Sequence, residues 1–121
     1  MNIKLKRAYE KPAAADGYRV LVDRLWPRGV KKQAARLDVW ARDLAPSDAL
    51  RKWSHHDSAK WVEFKRRYHA ELRSQRAALK DLFKQAGRRP LTLVYAARDE
   101  RRNNAVALRE YLLRIGVRTR A

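Results

Sequence analysis

Apolar positions recur along this chain with two different periods, and the switch between them divides it into strands and helices. Near the N-terminus Ile3 and Leu5 alternate with lysines and are followed by Ala8 and Tyr9, which predicts a first strand over residues 2–9 with one polar face. After the turn dipeptide Asp16-Gly17, the run Tyr18, Val20, Leu21, Val22 and Leu25 predicts a central strand from about Tyr18 to Leu25. It should stop at Trp26-Pro27, because proline has no N–H to pair and biases the preceding residue away from helix. Leu91 to Ala97 is an almost unbroken apolar run between Pro90 and Arg98-Asp99, the profile of a parallel strand covered on both faces.

Helical spacing governs most of the remainder. Lys31–Arg36 has room for one or two turns, and Leu37–Leu44 fits both periods and is assigned a short strand. Ser47 is placed to cap a helix over Asp48–Trp53, and Asp57 to cap a longer one whose stripe is Trp61, Phe64, Tyr68 and Leu72. Ser74 should interrupt that helix and cap the next, which carries Leu79, Leu82, Phe83 and Ala86 and halts at Gly87. Asn103 or Asn104 caps a last helix with Leu108, Tyr111, Leu112 and Ile115 on one side, closed by Gly116. Strand, loop and helix at each end, joined by helical crossovers, predict a small layered α/β domain. Its mostly parallel sheet has three to four strands flanked by helices, in a single domain over residues 1–121.

Composition narrows the chemistry. With no cysteine among 121 residues, disulfides and thiolate chemistry are excluded. No signal-length apolar segment and no membrane-length run occurs, so a soluble cytoplasmic protein without a membrane partner is expected. Thirty Lys and Arg against thirteen Asp and Glu give a formal charge of +17, a field that attracts phosphates and nucleic acids. The excess is spread along the chain, which equally fits an arginine-solvated surface with no such partner.

The candidate chemistry collects where the two apolar strands end. Ligands of open α/β sheets sit beyond the carboxyl ends of the strands, which makes Asp23, Arg24, Trp26, Arg28 and Gly29 one candidate wall and Tyr95, Arg98, Asp99 and Asn103 another. The start of the last helix adds free backbone amides suited to an anion. Asp23, His56 and Asp99 are the candidate acid–base groups, with Asp57 beside His56; ion pairing and helix capping are the structural alternatives for these aspartates. His69, on the long helix, is expected at the surface. Three histidines without metal-ligand spacing predict no metal, and the absence of a glycine-rich phosphate loop predicts no standard nucleotide cradle and no cofactor. No serine lies in a nucleophile elbow. The expectation is a pocket for a small phosphorylated or carboxylated ligand, a nucleotide among the candidates, with hydrolysis or transfer as a further option. The alternative is nucleic-acid binding through Lys65, Arg66, Arg73 and Arg76, in a stretch from Lys60 to Arg89 with ten basic and three acidic residues. A partner-binding scaffold is a third reading.

The segment Asp16-Gly-Tyr-Arg-Val-Leu-Val-Asp-Arg-Leu-Trp-Pro-Arg-Gly29 also carries a resemblance. With Asp43-Leu-Ala-Pro-Ser47, Leu50-Arg-Lys-Trp53, His56-Asp57, Phe64, Arg67-Tyr68, Leu93-Val-Tyr-Ala-Ala-Arg-Asp99 and Asn103, it resembles the YeaO-like branch of the bacterial family called domain of unknown function 488. The likeness covers nearly the whole chain. It implies a small bacterial cytoplasmic α/β protein and assigns no activity. Longer, more distant relatives carry Cys-Ala-Glu where Tyr95-Ala96-Ala97 stands here, so thiol chemistry suggested for them does not transfer.

Overall fold

The computed structural model of the chain describes residues 2–55 and 57–120, with side chains through residue 116. Four strands, β1 (Ile3–Arg7), β2 (Tyr18–Leu21), β3 (Val39–Trp40) and β4 (Leu91–Tyr95), form one sheet in the order β1-β4-β2-β3, with every pair parallel. The helices are α1 (Lys32–Ala35), α2 (Asp48–Ser54), α3 (Trp61–Leu72), α4 (Arg76–Ala86) and α5 (Asn104–Arg120). The α/β class and the parallel sheet agree with the sequence pattern. No described helix is long and apolar enough to cross a membrane.

Register decides which residues share a face. Ile3 and Tyr18 both pair with Leu91, and Leu5 and Val20 both pair with Leu93, so the apolar side chains of three strands project together. They meet Phe64, Tyr68 and Leu72 of α3, Leu79 and Leu82 of α4, and Leu108 and Leu112 of α5 in one buried cluster. The Tyr68 hydroxyl, fully buried, donates to the Leu44 carbonyl, so this large ring adds apolar area without an orphaned polar tip.

The opposite face is partly polar. Lys6 and Arg19 lie on it with Thr92, and all converge on Asp16, whose carboxylate accepts from Lys6 Nζ at 3.1 Å, Arg19 Nη1 at 2.6 Å and the Ala13 amide at 2.9 Å. Thr92 Oγ1 donates to the Asp16 carbonyl at 2.6 Å. Arg19 also donates to the carbonyls of Ala35 and Arg36, tying down the end of α1. Burial alone would push the Asp16 carboxyl up, but the Ala13 amide, Lys6 and Arg19 outweigh it and hold it below the ordinary value. Asp16 is followed by Gly17, φ 67°, where an added Cβ would sit 2.3 Å from the Pro90 carbonyl oxygen; the Asp-Gly turn is fixed by that approach to β4.

Several boundaries differ from the sequence pattern. The first strand covers only Ile3–Arg7 of residues 2–9. The central strand ends at Leu21, not Leu25, with one more ladder bond from the Val22 amide to the Val94 carbonyl. Beyond it the backbone is taken by side chains, so Leu25 is left 57 % exposed. Residues 37–44 yield two strand residues and then a 3-10 turn, Arg42–Leu44. Ser47 caps α2 as expected, by a bond from the Leu50 amide, whereas Asp57 caps not the long helix but a 3-10 turn before it, Ser58–Lys60, by a bond from the Ala59 amide; Lys60 is the N-cap of α3. Ser74 does not cap α4: its hydroxyl donates back to the Glu71 carbonyl inside a 3-10 turn, Arg73–Gln75, that joins α3 to α4. Gly87, φ 61°, ends α4, whereas α5 runs through Gly116 to Arg120. His69 is not at the surface but only 7 % exposed, with Nε2 2.8 Å from the Ala107 carbonyl and its ring 5.3 Å from that of Tyr111. The packing of α5 against α3 covers it.

Candidate functional site: a cleft at the carboxyl edge of the sheet

Where β2 and β4 end side by side, their polypeptide leaves the sheet in two loops that would diverge without a tie. Asp23 supplies it. One carboxylate oxygen accepts from the Ala96 amide at 2.9 Å and the other from Asn104 Nδ2 at 3.0 Å, while the Asp23 carbonyl accepts from Trp40 Nε1 at 2.7 Å. Asn104 Nδ2 also donates to the Val22 carbonyl at 2.9 Å. Asp23 thus joins the ends of β2 and β4, the side chain of β3 and the start of α5. On the β4 exit, Arg7 donates to the carbonyls of Ala96 and Ala97.

The two loops, together with α2 and the start of α3, enclose a cleft of about 660 Å³, within the usual range for small-molecule pockets. Both arginine-bearing loops face it, as the parallel topology predicts. One wall comes from β2: after Arg24, whose Nε donates to the Pro46 carbonyl at 3.0 Å, the chain turns tightly over Pro27–Val30. The third residue of that turn is Gly29 at φ 80°, a conformation that favours glycine. Trp26 Nε1 donates to the Val30 carbonyl at 2.7 Å and the Tyr9 hydroxyl to the Arg28 carbonyl at 3.0 Å, so the turn holding Arg28 is pinned from both sides. Trp26 packs edge-on against Trp40 at 5.4 Å.

The second wall winds around Asp99. Its Oδ1 accepts from the amides of Arg101 and Arg102 at 2.9 and 3.1 Å, and these bonds hold the carboxyl below the ordinary value. The Asp99 carbonyl accepts from Asn103 Nδ2 at 2.8 Å, and Asn103 Oδ1 caps α5 by accepting from the Val106 amide at 2.9 Å. Asn103 is buried with Tyr95, whose phenol is raised by burial; Tyr95 belongs to the core. The third wall is Trp61 and Phe64, stacked 5.8 Å apart, and Asp57, Ser58, Arg51 and Ser54, from α2 and the segment leading into α3, also line the cleft.

Of the residues expected from sequence to form a site, Asp23, Arg24, Trp26, Arg28, Arg98, Asp99 and Asn103 all line this cleft, while Gly29 and Tyr95 support it from outside the lining. His56 lies outside the described residues. Pattern reading missed Asn104 as a tie between α5 and β2, and Arg102, Trp61 and Phe64 as cleft residues. The apolar stripe of α3 named the last two, but nothing in their spacing said that they would face a cavity.

Charge within the cleft is unbalanced. Five arginines (24, 28, 51, 98 and 102) face three aspartates, and each aspartate accepts hydrogen bonds from its surrounding scaffold. Arg51 pairs with Asp48 at 3.4 Å. The guanidinium groups of Arg28, Arg98 and Arg102 have no ion-pair or hydrogen-bond partner among the described residues. The alternative basic surface is differently employed: Arg66 makes a two-pronged contact with Glu63, and Lys65 meets Glu110 at 3.2 Å and lies over Trp61. Arg73 and Arg76 are exposed at the α3–α4 junction. Among the described residues there is no cluster of three or more groups able to hold a metal.

A family model described as the inactive DUF488-N3 subclade matches residues 2–119. The chain is 43% identical over 112 residues to the uncharacterized protein YeaO of Escherichia coli K12, covering 93% of this chain and 97% of that one. It is also 43% identical over 111 residues to the uncharacterized protein Rv3073c of Mycobacterium tuberculosis H37Rv, covering 92% and 93%. No solved structure gives a significant match.

Proposed function

Because this chain belongs to the DUF488 family, within the subclade described as inactive, we propose that its cleft binds a small phosphorylated or carboxylated molecule without turning it over. The observation that carries this reading is the set of Arg28, Arg98 and Arg102 facing a common cavity with no salt bridge or hydrogen bond to their guanidinium groups among the described residues, in a cleft where five arginines outnumber three aspartates. Clustering like charges costs free energy, and an anion relieves it; Arg is suited to grip two oxygens of a phosphate or carboxylate at once. The first turn of α5 adds backbone amides and the positive end of a helix dipole.

Binding without reaction is favoured by what the cleft's groups already do. Asp23 spends both oxygens on the scaffold, and Asp99 is held ionised by two amides, which makes it a weak proton acceptor. The Ser54 hydroxyl donates to the Arg51 carbonyl, so its proton is already engaged with the scaffold. At the positions where longer relatives are similar but carry Cys and Glu, this chain has Tyr95 and Ala97.

The test is a thermal-shift and calorimetric screen of small anions, at low and moderate salt, against the wild type, Arg28→Ala and Arg98→Ala. Saturating ligand at about 100 times its Kd should stabilise the protein by about 2.7 kcal/mol. The shift should persist in moderate salt and be lost in both variants. Stabilisation by oligonucleotides alone, falling steeply with salt and tracking Arg73 and Arg76, would favour the nucleic-acid reading instead.

A further inference from the structure

Resting on the proposed anion site, we infer that its ligand is a nucleoside monophosphate: one phosphomonoester on a ribose that carries a flat nitrogen heterocycle. The first ground is size. A cleft of about 660 Å³ is far larger than one tetrahedral anion requires, and much of its boundary is apolar, from Leu25, Trp26, Pro27 and Pro46 to Trp61 and Phe64. Such walls gain from covering ligand surface of the same kind.

The second ground is that cleft chemistry changes from wall to wall. Arg98, Arg102 and the first turn of α5 belong to the wall after β4; the half-buried Trp61, backed by the buried Phe64 at 17° and with Lys65 Nζ 5.3 Å from its ring centre, belongs to the wall from α3. A molecule reaching from one to the other has its anion at one end and a plane at the other. Flat nitrogen heterocycles match a π surface, and base-to-aromatic contact is tolerant of sequence because every base has a π face.

The third ground argues against a second anionic group. Beside the aromatic wall stand Asp57 and the hydroxyls of Ser54 and Ser58, while Arg51 there is already paired with Asp48. Asp57 uses Oδ1 to cap the turn before α3 at 2.9 Å, and a carboxylate oxygen has room for further donors. A carboxylate there repels a second phosphate or carboxylate, but accepts from ribose hydroxyls or an exocyclic amine. The polar groups at the Asp57 end therefore suit a neutral, donor-bearing part of the ligand, and disfavour a second phosphate or carboxylate placed there.

Calorimetric titration of AMP, adenosine, inorganic phosphate and succinate into the full chain tests this, with Arg98→Ala and Trp61→Ala alongside. The expected result is AMP binding at least about tenfold tighter than each of the other three. Arg98→Ala should weaken AMP and phosphate together, and Trp61→Ala should weaken AMP at least about fivefold more than phosphate. In the wild type, where no variant needs to fold, AMP should quench tryptophan fluorescence and phosphate should not. Phosphate or succinate binding as tightly as AMP would overturn the nucleotide inference and leave the anion site standing. Binding of adenosine equal to AMP, or anion binding indifferent to Arg98→Ala, would overturn both.

Discussion

On the sheet face away from the long helices, Arg19 donates to Asp16 at 2.6 Å and to two helix carbonyls, and its side chain is 5 % exposed. At the carboxyl edge of the same sheet, Arg28, Arg98 and Arg102 open onto a cleft and form no salt bridge among the described residues, although Asp99 feels the charge of Arg102. A formal charge of +17 does not distinguish these arginines; their partners do. The first set is spent on holding three strands and α1 together, and removing one member strands a buried charge. The second set contributes little to the fold and is available to something else.

The sharpest way to break this contrast is to neutralise Asp16. Asp16→Ala leaves Arg19 buried without its carboxylate and Lys6 without its partner, and should destabilise the protein by about 3–5 kcal/mol in urea denaturation. Arg28→Ala or Arg98→Ala should change the same measurement by less than about 0.5 kcal/mol, or raise stability slightly as repulsion is relieved. Comparable losses at both places would erase the distinction.

Acid should act on two buried groups, His69 and Asp16, in two windows. His69 is held below its ordinary 6.5, chiefly by burial, with nearby Arg114 and Lys65 adding to this and the Ala107 carbonyl and Glu110 opposing it. The folded state therefore takes up its proton later than the unfolded state, and stability should fall as pH drops below 6.5. Asp16, also lowered, keeps its contribution above 3.8 and loses it as pH falls through the folded value. Urea titrations across pH should show the upper decline vanish in His69→Gln and the lower one vanish in Asp16→Asn.

Between the two regions lies the tie at Asp23. Asn104→Ala removes the bonds to the Val22 carbonyl and to Asp23 and should cost about 1–2 kcal/mol, with a loss of anion affinity as α5 loosens from β2. Smallest in stability is Tyr9→Phe, which takes an exposed bond from the Arg28 carbonyl: within about 0.5 kcal/mol by denaturation, but a measurable drop in anion affinity if the turn is positioned for binding. Equal affinity in Tyr9→Phe would show that the Arg28 turn needs no such support.

The sequence pattern made the cleft more legible than the packed polar face. The runs at Tyr18–Val22 and Leu91–Tyr95 each demand burial, the parallel arrangement sends both following loops to one edge, and the arginines in those loops then face each other. Asp16 read only as half of a turn because, although Arg19 lies three residues on, its other partners are remote: Thr92 lies 76 residues away and Lys6 ten. A clue was present, since Lys6, Arg19 and Thr92 interrupt three strands at positions that share one face once the register is known. His69 was misread for the same reason. It sits just beside the Phe64–Tyr68–Leu72 stripe, and only the approach of Ala107 and Tyr111, about 40 residues on, turns that flank inward. The caps at Ser47 and Gly87 were legible because each is decided within a few residues; Asp57 does cap, but the 3-10 turn before the long helix and not the helix itself.

The most direct test of the central claim is a calorimetric titration of AMP and inorganic phosphate into Arg28→Ala and Arg98→Ala at moderate salt, each variant first checked by thermal unfolding. Loss of at least about tenfold in AMP affinity, about 1.4 kcal/mol, with unfolding temperature unchanged is the result this account predicts. Wild-type affinity in both variants, or affinity lost only in step with unfolding, would contradict it and return the cleft arginines to the structural role that Arg19 plays.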